Sequence, residues 1–148
     1  MSDADVRLMR SWTEGQARAE FPPDYWYENA WAEDIDHRAI EGAPDDVGPI
    51  IGRDAMRAYL ADWYETFDDL TVAAEDVTDA GEGIVVVTWH VAGRARQSGV
   101  TTKLRLSVVY TIREGKIVRG REYMTKGEAL DAASALTSQS PQRLPHPS

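Results

Sequence analysis

The apolar period of this chain changes once, near Leu70, and that change constrains the fold more than any other feature. Before it, large apolar residues recur at the three- and four-residue spacing of amphipathic helices; after it, β-branched residues gather into stretches divided by turn signals. Ten of the thirteen aromatic residues, from Trp12 to Phe67, precede the switch, whereas the later stretches are mostly Val, Ile and Leu. Helices with aromatic faces would therefore meet an aliphatic sheet, either as a plain core or around a pocket.

Val6, Met9 and Thr13, flanked by Leu8 and Trp12, predict a first helix over about residues 4–20, ended by Phe21-Pro22-Pro23. Asp24 is placed to cap a second helix in which Tyr27 and Trp31 stack one turn apart. The third helix has the clearest pattern: Met56, Tyr59, Leu60, Trp63, Tyr64 and Phe67 form one stripe from Arg53 to Phe67. Four strands follow at Leu70–Val77, Ile84–Ala92, Val100–Ile112 and Lys116–Met124, with connections short enough for an antiparallel meander. A short strand, Asp34–Arg38, and the glycine- and proline-rich loop Gly42–Gly52 fall between the second and third helices.

The 148 residues amount to one core, expected over residues 1–133, with Ser134–Ser148 a disordered tail carrying His146. A net charge of −9 argues against nucleic acid or an anionic membrane as partner. The absence of cysteine excludes thiolate metal sites, disulfides and cysteine nucleophiles. No apolar run reaches the roughly 18 residues of a spanning helix, and the first residues lack a basic region leading into an apolar stretch, so a cytoplasmic protein is expected.

Several strings, in this order and spacing, resemble the SnoaL-like branch of the nuclear transport factor 2-like superfamily: Ala32-Glu33-Asp34, Gly42-Ala43-Pro44-Asp45-Asp46, Gly48 to Arg53, Asp79-Ala80-Gly81, Ser98-Gly99-Val100, Gly115-Lys116-Ile117-Val118, and Arg121-Glu122-Tyr123 ahead of Glu128-Ala129-Leu130. The resemblance covers roughly residues 5–133. It implies an α+β cone in which a curved antiparallel sheet wraps three N-terminal helices. A homodimer through the sheet's outer face is expected, where Arg119, Arg121 and Tyr123 would lie.

The superfamily includes ketosteroid isomerases, polyketide cyclases, limonene-type epoxide hydrolases and non-catalytic proteins, so chemistry must come from the pocket side chains. The two aspartates of ketosteroid isomerases fall at Ala39 and Val108. The Arg-x-Asp of the epoxide hydrolases falls at Thr88-Trp89-His90, their late Asp at Glu122, and their Tyr and Asn at His37 and Ala39. The base of SnoaL-type cyclases falls at Thr125. None of these machineries is intact, but the registers place His37, Ala39, Thr88, His90, Val108 and Glu122 toward the cone interior.

Glu122, His90 and His37 are accordingly the candidate catalytic groups, with Glu122 and His90 as an acid–base pair and His37 as a second polar anchor. The amphipathicity of Val85, Val87, Trp89 and Val91 offers the alternative of His90 on the outer face. Tyr59, Trp63, Trp26, Trp31, Thr88, Val108, Tyr110 and Met124 are the expected substrate-binding residues, Tyr110 as a donor to a carbonyl or hydroxyl. The function implied is cofactor-independent acid–base chemistry, of isomerase, cyclase, dehydratase or epoxide-hydrolase type, on a hydrophobic small molecule. Two other readings are open: a non-catalytic dimeric binding protein, and a metal site built from His37, His90 and Glu122. The sequence has no dinucleotide, phosphate-loop, nucleophile-elbow or zincin motif, and neither metal nor cofactor is expected.

Overall fold

The computed structural model describes residues 2–18, 22–44 and 46–138. The elements are α1 (Ser2–Arg18), α2 (Pro22–Asn29), β1 (Trp31–Arg38), β2 (Ile50–Ile51), α3 (Arg53–Thr66), β3 (Phe67–Gly81), β4 (Ile84–Ala95), β5 (Thr101–Arg113), β6 (Lys116–Tyr123) and α4 (Lys126–Ser138). They form an α+β fold with one curved six-stranded sheet in the order β2-β1-β6-β5-β4-β3. None of the described helices is long and apolar enough to cross a membrane.

Strands β3 to β6 are the expected antiparallel meander, while β1 joins β6 in parallel and β2 closes the edge. That parallel pairing depends on contacts remote in sequence, and no local pattern announced it. Register shifts along β3–β4 between Asp68/Thr71, Ala74/Asp76 and Asp79/Gly81 bend the sheet. The β5–β6 turn uses left-handed backbone at Glu114 and Gly115, φ 51° and 77°, as a tight hairpin requires. Gly52, with φ 93°, donates its N–H to Ile35 O at 2.7 Å and so ties the start of α3 to β1.

The inner face of the sheet meets α1, α2 and α3 across a core that includes Met9, Trp12, Trp26, Ile35, Val87 and Ile117. The outer face carries a second cluster, Ile84, Val86 and Val109 against Ala129 and Ala133 of α4. Three expectations change here. Trp31 opens β1 instead of ending a helix, although its ring still meets Tyr27 edge-on at 6.4 Å. Phe67 begins β3, because α3 stops at Thr66. The helix α4 continues to Ser138, past the boundary expected at residue 133; its alanines bury too little surface to make a legible stripe, and residues 139–148, with His146, lie outside the described residues.

Candidate active site

Strand alternation decides which side chains reach the cavity beneath the three helices. Along β4 and β5 the pairing runs without a shift from Ile84↔Thr111 to Arg94↔Thr101, so residues two apart keep one face throughout. Trp89, Val91, Leu106, Val108 and Tyr110 face inward and line a cavity of about 690 Å³, open mouth included. From α3 come Met56, Tyr59, Leu60, Trp63 and Tyr64, one face of the predicted stripe. Trp26 of α2, Trp31 of β1 and Leu70 and Val72 of β3 complete the apolar wall.

The polar end of this cavity is built on the β1–β6–β5 edge. His37 lies opposite Gly120 in the parallel register, and Val108 opposite Glu122 in the antiparallel one. The His37 Nε2 and Glu122 Oε2 atoms are 2.7 Å apart, and the Tyr59 hydroxyl donates to the same oxygen at 3.0 Å. His37 is 2% exposed and the Glu122 side chain 8%. Behind them, on the outer face, Arg121 donates to Asp36 O and Gly120 O, each at 2.8 Å, and to Asp36 Oδ1 at 3.2 Å. This clamp fixes the β1–β6 register on which the His37–Glu122 contact depends.

The other ring nitrogen of His37 identifies the tautomer. His37 Nδ1 is buried with no hydrogen-bond partner, packed over the bare Cα of Gly120. A proton on Nδ1 would leave a buried donor unsatisfied, whereas Nε2–H donating to Glu122 leaves only an unpaired acceptor at Nδ1. Glu122 then accepts two hydrogen bonds on Oε2, and Oε1 accepts none of those described. His37 therefore turns Nε2 to Glu122 and Nδ1 to Gly120, in keeping with the anchoring role expected of it.

Across the cavity, Trp89 Nε1 donates to the Tyr110 hydroxyl at 3.1 Å. Burial pushes the Tyr110 phenol up, more than the Trp89 hydrogen bond pulls it down, so it keeps its proton and serves as a donor. Burial also raises Tyr64, to about 12.

Three assignments are corrected. His90 lies on the outer face between Ala73 and Arg105, because Trp89 takes the inward position beside it. It is therefore not paired with Glu122, and the metal reading loses one of its three ligands. Thr88 shares that outer face and hydrogen-bonds Ser107 at 2.8 Å. Met124 lies beyond the end of β6 and is 66% exposed. By contrast Glu122, His37, Tyr59, Trp63, Trp26, Trp31, Val108 and Tyr110 all line the cavity. Gly120 is a glycine inside a strand, the sequence signal for close approach by another group, here the His37 ring.

A Cβ at position 120 would lie 2.4 Å from His37 Nδ1 and 3.0 Å from Cε1. Gly120→Ala should therefore displace the imidazole from Glu122 and cost about 1–3 kcal/mol of overpacking, seen as a melting temperature lower by roughly 3–10 °C. An unchanged melting temperature together with an unchanged imidazole N–H resonance would contradict the packing described.

Residues 10–120 match the SnoaL-like domain family. No curated protein matches the sequence significantly. Among solved structures, a protein assigned as a SnoaL-like polyketide cyclase from Jannaschia sp. CCS1 is 21% identical with a TM-score of 0.65, over 88% of this chain and 92% of that one. A nuclear transport factor 2-like protein from Burkholderia thailandensis E264 is 20% identical with a TM-score of 0.70, over 89% and 96%. A protein of ketosteroid isomerase-like fold from Catenulispora acidiphila, in complex with trimethylamine, is 12% identical with a TM-score of 0.64, over 90% and 97%.

Proposed function

The chain belongs to the SnoaL-like domain family, and on that premise we propose that it is a cofactor-independent enzyme that moves a proton on an apolar small molecule bound in the cone. The observation that carries this reading is the convergence of His37 Nε2 and the Tyr59 hydroxyl on one oxygen of Glu122, in a cavity otherwise walled by aromatic and aliphatic groups. A carboxylate held in place on one oxygen, with its other oxygen unengaged by the described groups, is arranged to accept a proton from a substrate. Tyr110 supplies the complementary donor: its O–H can hold the oxygen on which charge develops when a C–H next to a carbonyl is removed. The proton taken by Glu122 returns to another carbon in an isomerisation, or to a leaving oxygen in a dehydration.

The relatives support a small-molecule site without naming its occupant here, since one is assigned as a polyketide cyclase and another was crystallised with trimethylamine. Proton exchange is the test. Apolar cyclic ketones and enones incubated with the protein in D2O should take up deuterium at the carbon next to the carbonyl, and NMR reads the rate. A ligand that quenches tryptophan fluorescence in the cavity yet exchanges no proton would favour the second reading, a binding protein. A homodimer through the outer face is a further proposal for the assembly; light scattering at micromolar concentration supports it with a dimer mass and removes it with a monomer mass.

A further inference from the structure

The charge balance of the cavity narrows the class of molecule it takes. Four tryptophans and three tyrosines are among its lining residues, and neither lysine nor arginine is among the described ones. Among the described lining residues Glu122 is the lone carboxylate. Glu122 is held by the hydrogen bonds of His37 and Tyr59 on one oxygen, which leaves its other oxygen unengaged by the described groups. Glu122 and Tyr110 line the same cavity, on neighbouring strands β6 and β5. A net charge of −9 over the whole chain adds a long-range field of the same sign.

Aromatic faces carry negative potential and attract a desolvated ammonium, and a carboxylate at the end of such a box completes its neutralisation. An anionic ligand would meet the same carboxylate with no cation to pair with, at the cost of its own hydration. We propose that the ligand is an apolar amine, tertiary or quaternary, whose ammonium lies against the aromatic wall within the field of Glu122. This rests on the cavity being the ligand site, and it names the substrate class for the proton-transfer reading: an amine that also bears the acidic C–H or O–H.

Three probes of nearly one shape separate charge from size: choline, 3,3-dimethylbutan-1-ol and 3,3-dimethylbutanoate, titrated into the full chain with tryptophan fluorescence as readout. Choline should bind at least about tenfold more tightly than the neutral alcohol, and the carboxylate should bind most weakly. In Glu122→Gln, the choline preference should shrink to about threefold or less while the alcohol's affinity stays the same. Equal affinity for choline and the alcohol, binding by none of the three, or a preference unchanged in Glu122→Gln would each overturn the proposal. Those outcomes leave the acid–base reading intact wherever Glu122-dependent deuterium exchange is seen. A choline preference without any such exchange would remove the acid–base reading and keep this one.

Discussion

Replacing Glu122 by glutamine should lower the rate of deuterium exchange by about a hundredfold to ten-thousandfold, the usual cost of losing a positioned general base. The carboxamide oxygen can still accept from His37 and Tyr59, which hold the side chain at 2.7 and 3.0 Å in the wild type, so fold and ligand binding should survive. What is lost is the capacity to take a proton. His37→Leu and Tyr59→Phe remove one donor each from the same oxygen, and each should slow exchange by about ten- to hundredfold, the worth of a hydrogen bond to a charged group. His90→Gln, on the outer face, should leave the rate within about twofold, as distant surface changes do. A full rate in Glu122→Gln would assign the chemistry to another group.

The largest stability effect is expected at Trp26. Its ring is 4% exposed and lies 6.2 Å from Trp12, 5.8 Å from Trp89 and 5.9 Å from Tyr110, joining α1, α2 and the inner sheet face. Its Nε1 is buried with no partner, so truncation forfeits packing and no hydrogen bond. Trp26→Ala should cost about 3–5 kcal/mol, a fall in melting temperature of roughly 6–20 °C for a chain of this size. Trp26→Phe keeps most of the contact and should cost less than half as much. Tyr27, one residue on, faces Arg57 with the guanidinium 3.9 Å from the ring centre and bonds Asp54 at 2.8 Å near the surface. Tyr27→Ala removes a half-buried ring together with its Asp54 hydrogen bond and should cost less than Trp26→Ala.

The elements legible in the sequence were those whose pattern is local. The α3 stripe placed Tyr59 and Trp63 on the cavity wall, and the alternation of β5 placed Val108 and Tyr110 there. The pairing of β1 with β6 left no local trace, yet it brings His37 beside Gly120 and within reach of Glu122. His90 shows how a resemblance can mislead. The aligned positions suggested an inward histidine, but Trp89 and His90 are neighbours on a regular strand, and the larger apolar ring takes the core. The apolar alternation of Val85, Val87, Trp89 and Val91 already held that answer. Met124 is exposed for a different reason: β6 ends at Tyr123, and strand alternation no longer governs the next residue.

The central claim is that Glu122 takes its proton from a molecule lying in the aromatic cavity. The most direct test is a crystal structure of the Glu122→Gln variant with a compound that the wild type exchanges. The account predicts the exchanging carbon or oxygen within roughly 3.5 Å of the side chain at position 122, a near-attack distance, and the compound's oxygen within about 3.2 Å of the Tyr110 hydroxyl. A compound seated instead in the outer groove beside Arg119 and Leu136, or in the cavity with its exchanging atom beyond reach of that side chain, would contradict it.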